Sequence, residues 1–185
     1  MAFYQLFIDT SGSTSWKKEY YETVQQEYDK IPSDAKVEIY EWAANCGPLD
    51  KQEFKQVVCT KKHYSVDNND TCLSTICPYI KMDATNIVII TDGRIDSKEY
   101  DEAAKGIAEL VDSKSEQALP VVRFCVCSTS DVGDSILLAL ASSGIEVHYV
   151  HNKNEPLRIP TAVAPDQLFL FVDSIDILEY ISSKD

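Results

Sequence analysis

Basic residues are scarce in this chain. Its 185 residues carry 17 Lys and Arg against 30 Asp and Glu, a formal charge of −13. Nucleic-acid recognition needs a basic footprint, so that class of partner is argued against. Anionic membrane surfaces are disfavoured for the same electrostatic reason. No apolar run approaches the ~20 residues of a membrane-spanning helix. The six cysteines, Cys46, Cys59, Cys72, Cys77, Cys125 and Cys127, contain no CxxC pair, which argues against a zinc site. There is no glycine-rich phosphate loop with a lysine, no internal repeat and no long linker. The first apolar run begins by Phe3 and leaves no room for a charged leader, so reduced thiols and a cytoplasmic location are the expectation.

What is present fits one soluble domain over residues 1–185, with 44% hydrophobic and 25% charged residues. Phe3–Ile8 has the length and aromatic content of a buried strand. Trp16, Tyr20, Val24 and Tyr28 recur every four residues, predicting a helix from about Ser15 to Lys30 whose stripe, Trp16 included, faces the core. Pro32 stops it. Val37–Ala43 reads as a second strand, Asn45–Pro48 as a turn, and Phe54–Cys59 as a third strand antiparallel to the second. Asp70 is placed to cap a helix from about Thr71 to Tyr79. Asn86–Thr91, apolar on both faces, belongs in the middle of a parallel sheet.

Ser97 should cap a helix through about Val111, and Leu119–Cys127 is a further buried strand with Cys125 and Cys127 on one face. A helix opening at Ser130 or Asp131 would run through Leu140 and close at Gly144. Ile145–Val150 is a strand, residues 152–165 are irregular, and Leu168–Val172 is either a strand or the start of a last helix with Ile175, Leu178 and Ile181 inward. Strands alternating with helices predict an α/β fold: a three-layer α/β/α, doubly wound domain, its central sheet mostly parallel with one short antiparallel strand.

Function is expected at the carboxyl ends of the parallel strands, which open on one edge of such a sheet. Asp9-Thr10-Ser11-Gly12-Ser13 follows the first strand, Thr91-Asp92-Gly93 the central one, and Thr71 opens a helix. Two carboxylates and three hydroxyls, with waters, would satisfy a hard divalent ion at ~2.0–2.1 Å. The alternative for the first loop is a strand-to-helix turn in which Asp and Ser serve as caps. Asp96 is more simply a cap than part of a second site. His148 and His151 fall on opposite faces of a strand and have no third ligand in view, and Cys72 and Cys77 are poorly spaced for a shared ligand.

These residues together resemble the metal-ion-dependent adhesion site of von Willebrand factor type A domains, and the resemblance covers the whole chain. It implies metal binding by Asp9, Ser11, Ser13, Thr71 and Asp92. Ser11 and Ser13 would bind directly, Asp9 and Asp92 through waters or hydrogen bonds, and Thr71 directly only when a ligand is bound. Mg²⁺, or Mn²⁺ or Ca²⁺ in its place, is the implied ion. A protein partner would supply an Asp or Glu to the remaining position, with a larger assembly or an ATPase chaperone as an analogy only. Asn68-Asn69-Asp70 stand where the family often has glycines, and Thr75 is a neighbouring alternative to Thr71. No catalytic residue is assigned. Two other functions stay open: a Mg²⁺-dependent phosphohydrolase using Asp9, although Ser11 stands where those enzymes place a second Asp, and a structural interaction domain with a vestigial site.

Overall fold

The computed structural model describes residues 1–60, 71–92, 120–127, 147–150 and 170–172, with helical positions 102, 105, 106 and 109. Its strands are β1 (Phe3–Asp9), β2 (Lys36–Trp42), β3 (Cys46–Leu49), β4 (Asn86–Thr91), β5 (Val121–Val126), β6 (Val147–Val150) and β7 (Leu170–Val172). They form one seven-stranded sheet in the order β3-β2-β1-β4-β5-β6-β7. Every pairing is parallel except β2 with β3. Apolar runs such as Ile87–Ile90 lie in the centre because both of their faces are covered there.

Among the described residues two α-helices precede β4: α1 (Lys18–Asp29) and α2 (Lys51–Thr60). Tyr20, Tyr21 and Val24 of α1 and Phe54 and Val57 of α2 pack on Leu6, Ile8, Val88, Ile90, Cys125 and Cys127. Each large apolar group so buried stabilises the fold by roughly 1.5–3 kcal/mol. Cys125 and Cys127 take the buried positions assigned to them, and all six cysteines are free thiols. The opposite face is covered by a 3₁₀ segment, Leu73–Tyr79. There the Gln5 amide donates to the Tyr79 carbonyl at 2.9 Å, and the Tyr40 ring lies between Phe7 and Tyr79. Gly106 lies against this segment, since a Cβ on it would come within 2.9 Å of Cys77 Sγ.

Four expectations change. Residues 51–60 form a helix, and the antiparallel strand is Cys46–Leu49, where a turn was expected. The reason is a capping box at Asp50: its Oδ1 accepts from the Gln52 and Glu53 amides, while Glu53 Oε2 accepts from the Asp50 amide. The segment after Thr71 winds as a 3₁₀ helix with Pro78 inside it, which denies it α-helical bonding. Trp16 is outside the core, 65% exposed, because α1 starts only at Lys18 and Trp16 sits in a left-handed bend with φ of 66°. Within the 168–172 run, Leu170–Val172 form strand β7. Asp70 and Ser97, the helices expected over 130–140 and 175–181, and the irregular 152–165 lie outside the described residues.

Candidate functional site

Strand β1 ends at Asp9, beside Trp42 of β2, and Asp92 directly follows β4. The loop after β1 folds back at once. A 3₁₀ turn over Gly12–Thr14 forms, with the Thr14 amide donating to the Ser11 carbonyl at 3.1 Å. Thr14 Oγ1 adds bonds to the carbonyls of Asp9 and Ser11 at 3.2 and 2.9 Å. Tyr20 Oη reaches up from α1 to the Asp9 carbonyl at 2.6 Å and the Ile90 carbonyl at 3.3 Å. One phenol thus ties the ends of β1 and β4 together.

Asp9 is fully buried and both of its carboxylate oxygens are held. Oδ1 accepts from the Ser11 amide at 2.9 Å and Oδ2 from the Thr91 hydroxyl at 2.7 Å. Burial pushes its carboxyl up to about 6, against the pull of the Ser11 and Thr91 hydrogen bonds and with a further push from the charge of Asp92. Asp92 is also fully buried, and its Oδ2 forms an ion pair with Lys17 Nζ at 2.7 Å. The Ser11 and Ser13 hydroxyls lie 3.0 Å apart, and either can donate to the other. Thr71 is half-buried. Its neighbour Cys72 donates its amide to the carbonyl of Ala43, just past β2, so Thr71 stands on the same sheet edge as Asp9.

The donor set fits a hard divalent ion. Oxygens on adjacent corners of an octahedron with ~2.1 Å bonds are about 3.0 Å apart, the separation of the two serine hydroxyls. Asp92 already accommodates a cation, the Lys17 ammonium. Among the described residues no three His, Cys, Asp or Glu side chains cluster as a metal site.

No protein-family model matches the chain, and no curated protein matches it. Solved structures do. An aerotolerance-related membrane protein from Bacteroides fragilis NCTC 9343, carrying multiple mutations to serines, superposes with a TM-score of 0.56. That match covers 83% of this chain and 92% of the other, at 12% identity. The ArnB paralog VWA2 from Sulfolobus acidocaldarius superposes with a TM-score of 0.51 at 15% identity, over 80% of this chain and 40% of its own. The fold is von Willebrand A-like. At these identities the likeness carries the fold and not the site. No helix among the described residues is long and apolar enough to cross a membrane.

On this von Willebrand A-like sheet edge, Asp9, Ser11, Ser13 and Asp92 come together through hydrogen bonds and strand register. Among the described residues, Thr71 is brought to the edge by its backbone neighbour Cys72. Two participants were not legible as such. Thr91 orients Asp9, which its place beside Asp92 hints at. Lys17 pairs with Asp92 from 75 residues away, and no local pattern marks it.

Proposed function

We propose that the chain is a divalent-metal-dependent protein-interaction module. Asp9, Ser11, Ser13, Thr71 and Asp92 would hold a Mg²⁺-type ion, as in a metal-ion-dependent adhesion site. The observation that carries this is the pair of serine hydroxyls 3.0 Å apart beside two fully buried carboxylates. Two buried carboxylates at one sheet edge are a costly arrangement whose negative charge a divalent cation would offset, which gives the pair a functional rationale. When bound, the ion would supply a Lewis-acidic position for an Asp or Glu of a partner. Ser11 and Ser13 offer their hydroxyls as direct ligands, while Asp9 stays behind them, held by Ser11 and Thr91. That hold, with no exposure, also leaves Asp9 poorly placed to attack a phosphate, which favours binding over hydrolysis.

The von Willebrand A-like fold supports an interaction role at the coarser level. A vestigial site is the second reading, favoured by the Lys17 ammonium on Asp92. Calorimetry with Mg²⁺ and Mn²⁺ tests the proposal: the parent chain binds, and Ser11→Ala loses about ten-fold or more in affinity. A parallel pull-down in Mg²⁺ and in chelator should retain the partner only with metal. A partner retained equally by parent and Ser11→Ala, with and without chelator, would sink the metal-dependent reading.

A further inference from the structure

We infer that Lys17 is a built-in counter-ion that competes with the divalent cation for Asp92 and leaves it when metal binds. This rests on the metal-binding reading above. Three features converge on Lys17. Its Nζ lies 2.7 Å from Oδ2 of Asp92, a carboxylate with no exposure, while the lysine side chain itself is 31% exposed. The ammonium is therefore at the mouth of the site with a path back to solvent.

Second, Lys17 occupies the N-cap of α1 and makes no side-chain cap bond. Ser, Thr, Asp or Asn would satisfy the free helix amides there, and a cation meets the positive end of the helix dipole. Third, the chain reaches Lys17 through Trp16 in a left-handed backbone, a strained conformation for a bulky non-glycine residue. A disfavoured cap and a strained approach oppose local stability. Both are explained if the position serves to bring an ammonium onto Asp92.

The helix field also bears on reversibility. A lysine based at the N-cap of α1 has its charge disfavoured by the positive end of the helix dipole, which makes it a weaker partner for Asp92 than an ammonium free of that field. Lys17 supplies one positive charge against two carboxylates, so the site keeps an excess of negative charge that a divalent ion neutralises more fully. Without metal, Lys17 offsets part of the charge of the buried Asp92 carboxylate. With metal, the flexible stem can swing the ammonium outward. The apparent metal affinity is then lowered by the fraction of molecules in which Lys17 occupies Asp92.

The experiment is calorimetry with Mg²⁺ on the parent, Lys17→Met, Lys17→Gln and Lys18→Met. Lys18 is exposed and pairs with Glu22, so its loss makes the same change in net charge one residue away. Both Lys17 variants should bind Mg²⁺ about ten-fold or more tightly than the parent, with Lys18→Met within about two-fold of it. In chelator the Lys17 variants should melt below the parent and recover on Mg²⁺ addition. Unchanged affinity in the Lys17 variants, with the parent still binding, overturns the lysine assignment and leaves the metal reading standing. An equal gain in Lys18→Met overturns it as a general charge effect. Absence of Mg²⁺ binding in all folded variants overturns the metal reading and this inference with it, as does a Lys17 variant that folds in neither condition.

Discussion

Asp9 is the residue on which the site's electrostatics turn. Its folded carboxyl titrates near 6 against an unfolded value of 3.8, so the folded state holds the proton more tightly. The stability this contributes is fully present below about pH 4 and is lost as pH rises through about 6. At pH 7 the ionised, metal-free Asp9 costs about 3 kcal/mol relative to a neutral isostere. Asp9→Asn should therefore stabilise the chain in chelator at pH 7 by roughly 1–3 kcal/mol, and flatten the decline between pH 4 and 6, in urea titrations. A variant less stable than the parent would show that the ionised carboxylate is needed for the fold. Tyr20→Phe tests the tie between the strand ends. Loss of its two buried bonds should cost about 1–3 kcal/mol, read as a lower urea midpoint with unchanged slope.

At the scale of elements, the loop between β1 and α1 is the least locally consistent part of the chain. Its 3₁₀ turn is held from outside, by Thr14 on the Asp9 and Ser11 carbonyls and by Tyr20 from the helix it introduces. By contrast α2 is locally encoded. Its capping box at Asp50 and Glu53 and its buried Phe54 and Val57 agree with each other. Asp50→Ala should lower stability by about 1 kcal/mol without changing metal affinity, since Asp50 follows Leu49, which pairs with Ile39 in the body of β2 and not with Trp42 at its carboxyl end. The Phe54–Cys59 run reads as a strand when only its apolar density is weighed. The D-x-x-E signature just before it was the overlooked signal, and capping outweighs the short alternation.

For the whole molecule, a metal that binds only the folded state raises its melting temperature by mass action. At about 100 times the dissociation constant the gain is about 2.7 kcal/mol, which for a domain of this size is about 5–10 °C. Thermal scans in a Mg²⁺ series should show that rise for the parent and none for Asp9→Asn or Asp92→Ala. The sheet that carries this response was largely legible. β1, β4 and β5 are runs too apolar to lie anywhere but between covered faces, and their succession forced a parallel, doubly wound order. The edge was less legible: β3 is a four-residue strand containing Gly47 and Pro48, which by composition is a turn.

The sequence alone determined the mostly parallel sheet, the placing of Asp9 and Asp92 at strand ends on one edge of it, and the two serine hydroxyls that follow Asp9. Each of these depends on residues close together or on the rule that parallel strands open on one edge. Only the tertiary structure decided that Trp16 lies outside the core, because a single left-handed residue ends the helical period that would have carried it inward. It alone joined Lys17 to Asp92, since a pairing across 75 residues depends on where a helix start and a strand end meet in space, and periodicity along the chain has no term for that.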